Sequence, residues 1–452
     1  MKLYNNPLTL ARSIGIQTGD VISFTGGGGK TSNMFLLAGE LRKKGMSVIV
    51  TTTTHIFPPH EYPLLLSGDV HSIEKRLRRD RLLVLADSFE KEKLKGIDPL
   101  LAGELMRFAD VVLVEADGSR NRPFKAPKEN EPVIPPSSTI VLPVVGVEAA
   151  YKPLSEKWTH RTEKISAITG LLPGEIITPD IIAKTLLHPL GGMKGVPEGA
   201  DFIPLINKAD TPGDLSTARK ISNYLFKGGV KKTIVTSHKG KVSIKPCFAH
   251  GFVSAVILAA GGSRRMGKPK QELKIGGKSL AGIVIDNVLA SIVDEIILVT
   301  QPGLPLTDEI ISPDIKRVVN QEWKTGQSSS MKAGLEALDP ESDAVMFFMA
   351  DQPMVDAGII NDLLMTYHES DKPIVAPLYN GKKGSPVLFN RNLFDELKAV
   401  EGDKGGRDLL KSHPVEYVDI ESPLAGMDVD TPEEYKRLKE MMSVHPKTSV
   451  FE

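Results

Sequence analysis

The chain is expected to fold as α/β, built twice, on three observations. Short β-rich runs alternate with helical patterns through both halves, the order that mostly parallel sheets with crossover helices require. Each half opens on an apolar strand running into a glycine turn and then basic residues: "VISFTGGGGKTSN" at 21–33 and "VILAAGGSRRMGKPK" at 256–270. Finally, 452 residues exceed what a single core serves, so two domains of roughly 200 residues each are the natural division. The expectation is two three-layer αβα domains, 1–248 and 249–452.

The elements follow in order. Apolar or β-branched runs place strands at 20–25, 47–53, 81–87, 110–117, 138–146, 201–208 and 231–237, with helices at 30–44 and 212–226. The stretch 237–252, "SHKGKVSIKPCFAHGF", is rich in Lys, Gly and Pro without helical periodicity and reads as the join, with the boundary near 249. Beyond it, strands are expected at 253–260, 294–300, 343–351, 372–379 and 385–389, and helices near 279–291, 328–338, 356–368, 391–399 and 431–442.

Bulk composition excludes several classes. Lys plus Arg and Asp plus Glu both number 56, so no overall field favours nucleic acid or an acidic membrane. The single Cys247 rules out an internal disulfide framework and a multi-cysteine metal site. It reads as a small buried residue in the join, with no chemistry of its own. His55 and His60 in "THIFPPHEY" are separated by two prolines and cannot share a helix face, which argues against zinc. The opening "MKLYNNPLTLARSIG" lacks a signal-peptide core and no run is long enough to span a bilayer, so a cytoplasmic location is expected.

In the first half, strand, glycine loop, Lys-Thr and helix come in the order that lets backbone amides wrap a phosphate. Gly26, Gly27, Gly28 and Gly29 would form the cradle, Lys30 would add a point charge, and Thr31 would reach Mg²⁺. The loop departs from the usual P-loop, which wants glycine where Phe24 stands. Glu115 and Asp117 in "DVVLVEADGSR" sit at a strand end, suited to a metal or to orienting water, although "ADGS" also reads as an ordinary turn. Asn207, Lys208 and Asp210 follow the order by which GTPases recognise guanine, so GTP or ATP is the expected ligand. The threonines of "TTTTH" at 51–55 either face the nucleotide or simply end a β-branched strand.

In the second half, small residues at a strand exit leave main-chain amides open to an anion. Leu258, Ala259, Ala260, Gly261, Gly262, Ser263 and Arg264 would line a triphosphate, with Arg265 and Lys270 neutralising it. Ser328, Ser329 and Ser330 begin a helix and exceed what capping needs, so they would contact base or sugar. Asp351 ends the strand of "DAVMFFMADQPM", where open sheets meet ligands, and with Asp430 of "DVDTPEEY" would hold Mg²⁺. The alternative for Asp430 is a helix-entry residue.

These motifs carry resemblances. Residues from about 252 to 441 resemble the molybdenum cofactor cytidylyltransferases through "LAAGGSRRMGKPK", "GQSSSMKAG", "ADQPM", "KGSPVLF", "GDKGGRDLL" and "DVDTPEEY". "LAAG", where related guanylyltransferases carry "LAGG", implies CTP as substrate. Ser385 stands where many members have His, so any role of that imidazole is in doubt here. Residues roughly 18–240 resemble the selenium cofactor biosynthesis protein YqeC family through "TGGGGKTS", "VTTTTHI", "VVLVEADGSR", "WTHR" and "LINKAD". Together the resemblances imply a bifunctional protein of molybdenum-cofactor maturation. Its first half would be a P-loop-like NTPase and its second a Rossmann-like, Mg²⁺-dependent nucleotidyltransferase acting on the molybdopterin cofactor, with a molybdenum hydroxylase as client. The rivals are a nucleotidyltransferase for another phosphorylated acceptor and a non-catalytic, nucleotide-switched cofactor chaperone.

Overall fold

The computed structural model describes residues 8–58, 62–66, 70–239, 243–248, 251–261, 273–303, 315–402, 405–422, 425–429 and 431–444. The chain divides into two compact units, one containing Leu8–Ala249 and the other His250–Glu452.

The first unit is organised by a ten-stranded sheet. Its strands in chain order are β1 (Val21–Gly26), β2 (Val48–Thr52), β3 (Leu64–Leu66), β4 (Leu82–Ala86), β5 (Val111–Glu115), β6 (Ile140–Gly146), β7 (Leu205–Asn207), β8 (Lys232–Ser237) and β9 (Ser243–Phe248). Across the sheet they run β9-β8-β7-β6-β1-β5-β2-β4-β3, and the short strand Asp201–Phe202 pairs with β6. All pairs are parallel except β8 with β9. The strands are apolar on both faces because both are covered. Ile22, Phe24, Val48 and Val50 pack with Met34, Leu37 and Leu41 of helix α1 (Lys30–Lys43). On the opposite face, Val21, Ile49 and Val112 meet Ile73 and Leu77 of α2 (Val70–Asp80). Along the sheet, Val145, Ile206 and Val235 meet α3 (Thr162–Thr169), α4 (Pro179–Leu187) and α5 (Pro212–Lys227).

The second unit holds an eight-stranded sheet. Its labelled strands are β10 (Val253–Ala259), β11 (Glu295–Thr300), β12 (Ile315–Val319), β13 (Ala344–Met349), β14 (Ile374–Tyr379), β15 (Val387–Asn390) and β16 (Val415–Ile420). The path is β12-β11-β10-β13-β15-β14, continued by Lys382–Lys383, with β16 parallel to β14. Antiparallel β15 separates β13 from β14. Helices α6 (Leu280–Leu289) and α8 (Ala357–Glu369) pack on one face, and α7 (Gln327–Glu336) on the other. Helix α9 (Pro432–Val444) closes the described chain.

Three features depart from or add to the expectations. The join, read only as lacking helical periodicity, contains the edge strand β9, and an edge position tolerates Pro246, whose missing amide costs no interior ladder bond. Strands β12 and β16 went unforeseen because their charged residues, such as Lys316, Arg317, Glu416 and Asp419, break the apolar run. The helix expected at 391–399 is a 3-10 turn, Arg391–Leu393, followed by Phe394–Ala399.

Candidate functional site

The glycine loop of the first unit leaves the carboxyl end of β1 and turns into α1. Gly28 has φ 81° and Gly29 φ 119°, a region an L side chain rarely adopts. A Cβ on Gly28 would lie 2.1 Å from the amide nitrogen of Gly146, and one on Gly29 would lie 2.3 Å from Asn207 Nδ2. Glycine is therefore required at both positions.

The amides of this loop do not point where the sequence placed them. Gly26 N–H donates to Asp117 Oδ2 (3.0 Å), Gly27 N–H to the Val144 carbonyl (2.9 Å) and Gly28 N–H to the Arg122 carbonyl (3.0 Å). Gly27 and Gly28 are buried. The cradle expected of Gly26–Gly28 is turned inward, because the loop packs against the ends of neighbouring strands. Among the described residues, the amides of Gly29, Lys30, Thr31 and Ser32 make no hydrogen bond within the chain, as the first turn of a helix leaves them. An anion would meet those four.

Around them lies a buried charge network. Lys30 Nζ donates to the Gly26 carbonyl (2.8 Å) and stands 3.2 Å from Asp117 Oδ1 and 3.7 Å from Glu115 Oε1. Asp117 Oδ2 also pairs with Lys125 at 2.8 Å, and Lys125 pairs with Glu131 at 3.2 Å. Arg161 closes on Glu131 at 2.8 Å. The exposed Thr31 donates its hydroxyl to Glu115 Oε2 at 2.8 Å. Burial pushes the Glu115 carboxyl above its ordinary range, against the pull of Lys30 and Thr31. Thr31 and Glu115 are hard oxygen donors side by side, a fit for Mg²⁺, which keeps waters and takes phosphate oxygens to complete its shell. Among the described residues no group of three or more His, Cys, Asp or Glu could hold a metal alone.

The remaining first-unit candidates divide between bracing and access. Asn207 is buried and donates to the Gly28 carbonyl. Lys208 pairs with Glu148, and Asp210 is exposed and accepts from Ser237 Oγ. The threonines of 51–53 spend their hydroxyls on the carbonyls of Leu85, Glu115 and Val133. That agrees with the alternative in which "TTTTH" ends a β-branched strand, β2 closing at Thr52. His55 faces Glu90, and His60 lies outside the described residues.

In the second unit, Leu258 of β10 pairs with Met349 of β13, so Ala260 and Asp351 stand at matching positions just past the strand ends. The Ala350 amide donates to the Leu258 carbonyl at 3.3 Å, fixing the two turns together. Ala259, Ala260 and Asp351 are buried, and Gly261 is exposed. Gly262, Ser263, Arg264, Arg265, Lys270 and Asp430 lie outside the described residues. Gln352 donates to Asp428 Oδ1 at 2.6 Å and ties "ADQPM" to "DVDTPEEY".

The serines are placed less openly than their pattern implied. Asn320, past the end of β12, donates to Ser329 Oγ (2.8 Å) and Ser330 Oγ (3.0 Å). Ser329 in turn donates within reach of the Gly326 and Glu322 carbonyls. Among the described residues Ser328 alone of the three makes no side-chain hydrogen bond, while its amide donates to the Gly402 carbonyl. The Ser385 carbonyl accepts from the buried Tyr379 hydroxyl at 2.8 Å. Lys125, Asn320 and Gln352 escaped the sequence reading. Gln352 stood inside a quoted motif, whereas Asn320 follows β12, a strand the sequence did not reveal, and so carried no signal.

Comparison with known proteins divides the chain in two. The YqeC protein family model matches residues 22–163, and the MobA-like NTP transferase domain model matches 255–417. The uncharacterized protein YqeC of Escherichia coli (strain K12) is 35% identical over 214 residues, covering 46% of this chain and 84% of that protein. The purine catabolism protein PucB of Bacillus subtilis (strain 168) is 28% identical over 204 residues, 42% of this chain and 98% of its own. The molybdenum cofactor cytidylyltransferase of Escherichia coli (strain K12) is 26% identical over 190 residues, 42% of this chain and 96% of its own. No described helix is long and apolar enough to cross a membrane.

Proposed function

Since this chain belongs to the YqeC family through its first unit and carries a MobA-like NTP transferase domain in its second, we propose that it is a bifunctional molybdenum-cofactor maturation protein. The second unit transfers CMP from CTP to the molybdopterin cofactor. An oxygen of the pterin's terminal phosphate forms a bond to the α-phosphorus of CTP, the bond to the β-phosphate oxygen breaks, and pyrophosphate leaves. The reacting groups are polyanionic, so the protein positions them and neutralises charge without a nucleophile of its own. The observation that carries this reading is the level placement of Ala260 and Asp351 past two adjacent parallel strands. On this reading Asp351, with Asp430 as its partner, holds Mg²⁺ for a triphosphate bound at the turn that follows β10.

The first unit binds a nucleoside triphosphate with its phosphates on the amides of Gly29–Ser32, where the helix dipole and Lys30 favour negative charge. Mg²⁺ held by Thr31 and Glu115 would screen the phosphates, and hydrolysis would serve the maturation or loading of a cytoplasmic, selenium-dependent molybdenum hydroxylase. One assay tests both units. The full chain is incubated with molybdopterin and CTP, GTP or ATP singly, and pyrophosphate and orthophosphate are followed apart. Pyrophosphate with CTP alone, dependent on molybdopterin, supports the transferase reading. Tight molybdopterin binding without pyrophosphate would favour a carrier.

A further inference from the structure

We infer that the nucleotide of the first unit carries guanine, read by the carboxylate of Asp210 with Ser237 as its anchor. The inference rests on the phosphate reading of the glycine loop given above. Asp210 lies three residues past β7 and Ser237 ends β8, the second and third strands from β1 on the side away from β5. At about 4.8 Å per strand, the two positions lie about 10–14 Å along the strand ends from the glycine loop. That matches the reach of a nucleoside from its phosphates to the far edge of its base. The ligand would run from Thr31 and Glu115 on the β5 side, over Lys30, to Asp210.

The side chains around this end assign the reader. Asn207 is committed at both of its ends, to the Gly28 carbonyl and to the Thr236 hydroxyl, each at 2.8 Å, and is buried. It braces the loop, and its burial leaves the exposed Asp210 as the group that presents itself to a base. Lys208 is engaged by Glu148. His238 Nε2 meets Asn33 Oδ1 at 3.0 Å and pins the β8 end to the first turns of α1. Asp210 is exposed, and the buried Ser237 hydroxyl donates to its Oδ1, orienting the carboxylate, while Oδ2 accepts no hydrogen bond among the described residues.

A carboxylate accepts and does not donate. Guanine presents two adjacent donors, N1–H and the 2-amino group, and matches it. Adenine and cytosine set an acceptor nitrogen beside their amino group, and uracil flanks its N–H with carbonyls. Of the four common bases, guanine alone fits without repulsion.

Equilibrium binding of the Mg²⁺ complexes of GTP, ITP, ATP and XTP to the full chain tests this. Wild type should bind GTP about 100-fold more tightly than ATP, with ITP, which lacks the 2-amino group, about ten-fold weaker than GTP. Asp210→Asn offers one donor and one acceptor, so it should lose GTP about 100-fold and gain XTP, whose N1–H and 2-oxo group complement it. Wild-type affinities for GTP and ATP within about three-fold, or an Asp210→Asn variant that weakens every base alike, overturn the assignment and leave the phosphate site standing. No triphosphate binding, or binding indifferent to Lys30→Ala, overturns the phosphate reading and this inference with it.

Discussion

Asn207 donates its side-chain N–H to the carbonyl of Gly28 at 2.8 Å, joining the end of one strand to a loop 179 residues earlier. The bond crosses β6 and fixes where the amides after Gly28 point. Asn207→Ala should cost about 1–3 kcal/mol of stability, because it strips partners from a buried carbonyl and a buried hydroxyl. It should also weaken all triphosphates by the same factor. Urea denaturation with binding of GTP and ATP checks both halves, and a base-selective loss would contradict a purely bracing role.

The contact of Thr31 with Glu115 predicts a metal-linked effect. Thr31→Val keeps shape and removes one hard ligand, so Mg²⁺ should no longer tighten nucleotide binding, whereas Thr31→Ser should retain most of the enhancement. Titrating Mg²⁺ at fixed nucleotide separates them. Equal Mg²⁺ response in wild type and Thr31→Val would remove Thr31 from the metal site.

How far the site could be read from residues alone follows the range of the forces involved. Helix α1 was expected at 30–44 and runs Lys30–Lys43, because glycine before it and periodic Met34, Leu37 and Leu41 are local signals. The direction of the Gly27 and Gly28 amides was not legible, since it is set by the carbonyls of Val144 and Arg122, about 95 residues and more downstream. Three serines in a row resemble a ligand platform until Asn320 claims two of them, and nothing in their spacing announces that donor. Nothing in "RPFKAPKE" sets Lys125 apart from its neighbouring lysine. Only the fold places it within 2.8 Å of Asp117.

Glu131 supplies a pH signature. Burial alone would push its carboxyl up, but Arg161 and Lys125 outweigh that and hold it below the ordinary 4.5. A folded pKa below the unfolded one means stability that is fully present above about pH 4.5 and lost as pH falls through the folded value. Glu131→Gln should therefore cost about 1–3 kcal/mol at pH 7. The gap to wild type should narrow as the solution is acidified below pH 4.5. Chemical denaturation at several pH values reads this, and a gap constant with pH would mean that packing, not charge, is what the substitution removes.

In the second unit, two neighbouring side chains should fail differently. Asp351 stands level with Ala260 and is the proposed metal carboxylate, so Asp351→Asn should cut molybdopterin-dependent pyrophosphate release by about 100-fold or more. Gln352 is expected to act through its neighbour. It holds Asp428, two residues before Asp430, by a 2.6 Å hydrogen bond. Gln352→Ala should act by loosening that segment, lowering the rate about ten-fold and raising the Mg²⁺ concentration needed for half-maximal rate. Excess Mg²⁺ should then rescue Gln352→Ala and leave Asp351→Asn inactive, with both melting temperatures within a few degrees of wild type. If Mg²⁺ rescues both alike, Asp351 is a positioning residue as well, and the carboxylate that meets the metal must be sought elsewhere.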